Sequence, residues 1–159
     1  MLVQERKSPA MLVLTRVGGI LFFLLMVVLA NIAVAYVRIP EIAAFVYFIN
    51  ANLALLILMS IVFFAGEIFG ILVFPLNLPG PVFGAVGGVL FAYFFFTLMY
   101  SPMIYAYVKL GLFNPAGTFA YIVYAGVFVL ALAAGYASIF WRLFRGERKE
   151  RREERRKES

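Results

Sequence analysis

The stretch Val17-Gly18-Gly19-Ile20-Leu21-Phe22 recurs 69 residues later as Val86-Gly87-Gly88-Val89-Leu90-Phe91. A second echo follows at nearly the same offset, since Ala35-Tyr36-Val37-Arg38-Ile39 is matched by Ala106-Tyr107-Val108-Lys109-Leu110. Apolar segments use few residue types and match easily by chance. Two ordered matches nonetheless favour a duplicated helical hairpin, because self-similarity at a fixed offset is typical of internal repeats.

The composition around this stretch is that of an integral membrane protein. Of the 159 residues, 65% are hydrophobic and only 14% are charged, whereas soluble domains carry about 25% charged residues. A helix needs ~20 mostly apolar residues to cross a bilayer core ~30 Å thick. Four runs qualify, at about 17–37, 42–64, 82–100 and 115–140. Because these runs are continuously apolar and do not alternate as spanning β-strands do, we predict an all-α protein with four transmembrane helices in two hairpins.

The predicted helices divide the chain into three parts. Residues 1–16 form an N-terminal lead, residues 17–141 form the transmembrane domain, and residues 142–159 form a charged tail that we expect to be helical. Within the transmembrane domain, the segment Pro75-Leu76-Asn77-Leu78-Pro79-Gly80-Pro81 breaks any helix and separates the two hairpins. Asn114, followed by Pro115, is expected to cap the start of the fourth helix.

Lysine and arginine are unequally divided between the two predicted sides. One side carries Arg6, Lys7, Arg16 and nine basic residues of the tail, whereas the other carries Arg38 and Lys109. Basic residues near helix ends favour the cytoplasmic side. We therefore expect a multi-pass protein of the cell membrane with both termini in the cytoplasm.

Several kinds of chemistry are excluded because the chain lacks the residues they need. It has no cysteine, histidine or aspartate, which leaves no ligands for conventional zinc, haem or iron–sulfur sites. Outside the tail the acidic residues are Glu5, Glu41 and Glu67. We therefore expect no enzymatic activity, cofactor or metal. A charged set of glutamate, arginine and lysine without cysteine also resembles a heat-adapted composition.

The second apolar run carries most of the polar residues at predicted membrane depth. Asn50, Asn52, Ser60 and Glu67 lie in or just beyond it. At ~100° per residue, Ser60 and Glu67 project within ~20° of each other. Intramembrane acids often mark ion or proton paths, although Glu67 at headgroup level would be merely solvated. These four residues form a candidate polar path, whereas Asn31 on the first run is interpreted as an interhelical hydrogen-bonding residue.

Small residues recur on single faces of the third and fourth runs. Such faces let another helix approach closely where water supplies no driving force for association. The candidate helix-packing residues are Gly84, Gly88 and Ala92 on the third run, and Ala131, Gly135 and Ser138 on the fourth.

The tail supplies candidate contacts at the membrane surface. Its residues Arg142, Arg145, Arg148 and Lys149 could bind lipid headgroups, at ~1 kcal/mol per basic residue near an anionic surface, or a partner. Five glutamates dilute this positive charge and weaken any nucleic-acid interpretation. We expect partners among membrane lipids, further copies of the chain or other membrane subunits.

Two functions follow from these features. The first is a non-enzymatic membrane protein that acts by helix packing, as a homo-oligomer or as a subunit of a larger membrane complex. The second is an ion channel or small-solute transporter whose path is lined by the second helix.

Overall fold

The computed structural model of the chain describes residues 9–37, 39–72, 74–108 and 111–157, without the side chains of residues 9, 10, 12, 106–108, 142, 143 and 145–157. The described part consists of helices and their connections: α1 (Pro9–Tyr36), α2 (Pro40–Ala51), α3 (Leu53–Ile71), α4 (Pro79–Met99), α5 (Pro102–Val108), a short 3₁₀ turn (Gly111–Phe113) and α6 (Thr118–Lys157). Four of these helices, α1, α3, α4 and α6, are long and apolar enough to cross a membrane. The predicted all-helical class, with four helices long and apolar enough to cross a membrane, is therefore confirmed for the described residues.

The second apolar run differs from the single helix predicted over residues 42–64. Asn52 interrupts it, with φ −107° and ψ 11°, and its Nδ2 donates a hydrogen bond to the Phe48 carbonyl oxygen at 2.9 Å. Asparagine side chains compete in this way with the regular backbone ladder. The candidate span accordingly moves to Leu53–Ile71, and the apolar residues after Glu67 extend α3 as far as Ile71.

Proline sets the boundary between α3 and α4. The backbone of Leu72 is extended, at ψ 158°, and α3 ends there. Pro79 and Pro81 occupy the first turn of α4. Backbone N–H groups in the first turn have no intrahelical acceptor, so proline, which lacks an N–H, loses no helical hydrogen bond there. This helix therefore begins inside the proline-rich segment, three residues before the predicted run at 82–100.

The spans pack in a row. Among the described residues, α1 makes its main contacts with α2 and α3, α3 packs on α4, and α4 packs on α6. The central helix α4 is accordingly the most enclosed and contributes Ala85, Ala92 and Phe96 to the buried core. On α1, at the edge of the row, the only buried residue among those described is Val27.

The start of α6 differs from the sequence expectation for Asn114. Its Oδ1 accepts a hydrogen bond from the backbone N–H of Ala116 at 3.0 Å, and its carbonyl accepts one from Gly117 at 2.9 Å. These bonds form a turn, and α6 begins only at Thr118. Asn114 thus stabilises a turn before the helix and is not its N-cap. Its side-chain oxygen accepts a hydrogen bond from Ala116, within the turn, and not from the first turn of α6.

The last helix extends well beyond its membrane-crossing part. It contains 40 residues, whereas its candidate span ends at Trp141. The predicted surface contacts Arg142, Arg145, Arg148 and Lys149 lie on the helical extension, but their side chains are outside the described residues.

Candidate functional site

An ion pair joins the first and third helices near one end of both. The Nε of Arg16 on α1 donates a hydrogen bond to Oε2 of Glu67 on α3 at 2.8 Å, and its Nη2 donates to Oε1. This two-pronged geometry uses the planar guanidinium as a fork and fixes both position and orientation. The side chains remain 47% and 38% exposed, so other charged groups can reach the pair.

The sequence did not predict this pair. Glu67 was expected in a polar path or solvated at headgroup level, and Arg16 was counted only among the basic residues of the cytoplasmic side. A usable signal was present, however, because antiparallel neighbours place the start of one span beside the end of the next. Arg16 lies three residues after the start of the Val13–Tyr36 span, and Glu67 lies four residues before the end of α3.

A cleft of about 570 Å³ lies between α1 and α3 beside the ion pair. Its walls are mostly apolar, and the ion pair contributes the charge at its rim. The lining residues besides Arg16 and Glu67 are Thr15, Gly19, Ile20 and Phe23 on α1, and Ile57 and Ser60 on α3.

Only two of the four residues of the candidate polar path lie in this cleft. Ser60 and Glu67 line the cleft, whereas Asn50 and Asn52 are not among its lining residues. Each of the four side chains has a partner inside the chain. Ser60 Oγ donates to the Leu56 carbonyl at 3.0 Å, and Asn52 bonds to its own helix. Glu67 is paired with Arg16, and Asn50 is paired with Asn31.

The Asn31–Asn50 pair ties α1 to α2 by two reciprocal hydrogen bonds. Asn31 Nδ2 donates to Asn50 Oδ1 at 3.1 Å, and Asn50 Nδ2 donates to Asn31 Oδ1 at 2.7 Å. From Arg16 to Asn31 the rise along the helix is ~22 Å, at ~1.5 Å per residue. Because this approaches the ~30 Å thickness of a bilayer core, the two polar contacts lie toward opposite ends of the spans.

The predicted small-residue faces are largely used within the chain. A Cβ added to Gly135 would lie 2.6 Å from Cβ of Pro81 on α4, and one added to Gly88 would lie 3.2 Å from Cγ1 of Val127 on α6. Ala92 is buried. The remaining members Gly84, Ala131 and Ser138 line, with Gly135, a second groove of about 330 Å³ between α3, α4 and α6.

The two copies of the repeated stretch have different surroundings. On α4, a Cβ at Gly87 would lie 2.7 Å from Cε1 of Phe63, so this glycine is covered by α3, and Gly88 faces α6. On α1, a Cβ added to Gly18 or Gly19 would have no heavy atom within 4 Å. The glycine pair is therefore packed on both sides in the second copy and open in the first.

The described residues contain no group of three or more acidic, cysteine or histidine side chains that could hold a metal ion. The chemistry they bring together includes one ion pair, one amide pair and the grooves between the helices. Comparison with known proteins finds no matching family model, no matching curated protein and no matching solved structure.

Proposed function

We propose that this chain is a non-enzymatic membrane protein that acts by helix packing, as a homo-oligomer or as a subunit of a larger membrane complex. Its contact surface is the α1 outer face, which we define as Leu14, Gly18, Leu21, Phe22 and Leu25. Gly18, which is open on α1 whereas the matching Gly87 is packed against α3, is the observation that carries the proposal.

The α1 outer face has the shape that a further helix requires. Leu14 is 75% exposed and Phe22 is 64% exposed, and between them Gly18 leaves room at the backbone. Lipid can cover exposed apolar side chains, so their exposure alone says little. A glycine flanked by large apolar residues, however, lets a second backbone approach closely, which is the arrangement that drives helix association in membranes.

The other small-residue faces do not supply an outward surface of this kind. Gly88 and Gly135 contact a neighbouring helix, and Gly84 lies in the groove between α3, α4 and α6. The sequence alone proposed assembly through any of the small-residue faces. The proposal now assigns the assembly contact to α1, at the edge of the row. The proposal keeps both termini in the cytoplasm and retains the duplicated hairpin, in which α1 corresponds to α4. In that relation, a partner helix at Gly18 occupies the place that α3 takes at Gly87 on α4.

Replacing Gly18 by leucine is expected to weaken the assembly by about tenfold, or ~1.4 kcal/mol, because the new side chain fills the space for the partner backbone. Native mass spectrometry of the complex in mild detergent, over a dilution series, measures the change. Gly126→Leu on α6 is the matched control, since a Cβ there also meets nothing within 4 Å. It is expected to leave the assembly intact.

The masses of the native complex decide between the two forms of the proposal. Integral multiples of 17.8 kDa indicate a homo-oligomer, and fixed amounts of other polypeptides indicate an accessory subunit. A monomer that persists in mild detergent and in bilayer nanodiscs contradicts the proposal in both forms.

The second candidate function is a channel or small-solute transporter, which the cleft lined by Ser60 and Glu67 favours. It requires a hydrated passage beside the ion pair. In reconstituted vesicles, Glu67→Gln would then change the flux of cations or small solutes at least severalfold, because removing the carboxylate alters the local charge. Equal flux through native protein, the variant and protein-free vesicles excludes this function.

A further inference from the structure

The cleft between α1 and α3 combines apolar walls with a charged rim. Arg16 and Glu67 lie at the rim, and Gly19, Ile20, Phe23 and Ile57 form apolar parts of the wall. The lining runs from Thr15 to Phe23 on α1 and from Ile57 to Glu67 on α3, which corresponds to about 12 to 15 Å of helix. One leaflet of a ~30 Å hydrocarbon core is ~15 Å deep, so the cleft has the depth of a single leaflet.

We infer that this cleft binds one phospholipid with a primary ammonium headgroup. The phosphate lies against Arg16, the ammonium lies against Glu67, and an acyl chain follows the apolar wall toward the middle of the bilayer. The site is independent of the α1 outer face, because Gly19 lines the cleft whereas Gly18 is not among its lining residues.

Charge complementarity selects this headgroup. Arginine carries five N–H donors, and Glu67 accepts from Nε and Nη2. The Nη1 group donates none of the hydrogen bonds found among the described residues, so it is available to a phosphate oxygen. Because the pair is neutral as a unit, a headgroup with one negative and one positive charge matches it better than a purely anionic headgroup.

The ammonium also has to donate hydrogen bonds. A carboxylate accepts hydrogen bonds with both oxygens, and charge-assisted bonds of this kind are stronger than neutral ones. A choline headgroup has the same charge but carries three methyl groups in place of the N–H donors. A comparison of lipids with these two headgroups therefore distinguishes charge attraction from hydrogen bonding at Glu67.

The depth of the ion pair suits a headgroup contact. Arg16 lies ~4 to 5 Å along the helix from the start of the Val13–Tyr36 span, and Glu67 lies ~6 Å from the end of α3. Long basic side chains near helix ends reach the headgroup level while their stems stay in apolar surroundings. The pair can therefore meet a phosphate without drawing it into the hydrocarbon core.

The test compares three lipids with identical acyl chains, phosphatidylethanolamine, phosphatidylcholine and phosphatidylglycerol, added in turn to delipidated full-length protein. Lipid-bound fractions are read by native mass spectrometry. We expect the ethanolamine lipid to bind about fivefold more tightly than the choline lipid, the factor that one net hydrogen bond of about 1 kcal/mol supplies. Equal binding of these two lipids, or preference for the glycerol lipid, overturns the proposal.

Two variants locate the site. In Glu67→Gln the preference for ethanolamine should disappear, and the anionic glycerol lipid should bind best, because Arg16 then has no carboxylate beside it. In Gly19→Leu all tight lipid binding should fall at least fivefold, since the side chain fills the cleft. Gly19 and Gly126 both leave open space for a Cβ, so Gly126→Leu on α6 is the matched control and should bind lipid normally.

These outcomes separate the lipid site from the assembly surface. Loss of lipid binding in Gly126→Leu to the same extent as in Gly19→Leu overturns the assignment to the cleft. A result in which Gly18→Leu disrupts the assembly but retains the bound lipid supports both proposals, and a monomeric protein that still selects the ethanolamine lipid supports this one alone.

Discussion

Replacing Gly135 by alanine is expected to lower the free energy of unfolding by about 1 to 3 kcal/mol, the usual cost of inserting a methyl group into a filled space. The added Cβ would lie 2.6 Å from Cβ and 3.1 Å from Cα of Pro81. Since the Pro81 ring cannot rotate away and its Cα belongs to the backbone, α4 and α6 must move apart. This crossing is one of the main contacts of α4, so the effect should be the largest of any single glycine-to-alanine change.

Gly126→Ala is the control for this change, because it lies on the same helix with no heavy atom near its Cβ position. It should be neutral or stabilising by up to ~1 kcal/mol, the gain in helix propensity of alanine over glycine. Unfolding in mixed micelles, followed by the fluorescence of the single tryptophan, measures both variants. Equal stability of the two would contradict the close approach of α6 to Pro81.

Exchanging the charges of the ion pair should also lower the free energy of unfolding. Arg16→Glu and Glu67→Arg each convert an attractive pair into two like charges, and each is expected to cost about 1 kcal/mol, the upper value for exposed pairs. The double exchange should recover most of this loss, because it restores opposite charges on α1 and α3. The same unfolding experiment yields the coupling energy from the four proteins.

The coupling energy is the informative quantity, since a single substitution also changes side-chain packing and net charge. A double variant whose loss of stability equals the sum of the single losses would show that Arg16 and Glu67 do not interact. Repeating the measurement at high salt adds a check. A pair that is about half exposed should weaken as ionic strength rises.

The residues of the candidate polar path show what helical periodicity can predict and what it cannot. Periodicity placed Ser60 and Glu67 on one face, and the structure brings both to one cleft. Periodicity assumed an unbroken helix, however, and Asn52 breaks it. Asn50 therefore lies on a separate helix, α2, and its side chain pairs with that of Asn31. The break arises where the Asn52 side chain donates a hydrogen bond to the Phe48 carbonyl oxygen. Hydropathy does not detect such a local bond.

The small residues show a second limit. Spacing on one helix identifies a face that another helix can approach, but it does not identify the approaching helix. Gly88 and Gly135 serve contacts within the chain, whereas Gly18, in the stretch of similar sequence on α1, is open. Only the arrangement of the helices distinguishes a face that is already occupied from one that is free.

By itself the sequence determined that the chain is helical and contains four segments able to cross a membrane, because length and continuous apolarity are local properties and lipid offers no alternative partner for the backbone. Tertiary structure decided which helices touch, that Arg16 meets Glu67, that Asn31 meets Asn50, and that one glycine pair stays open. Those outcomes depend on side chains far apart in the chain. They are fixed by how the helices cross, which hydropathy does not encode.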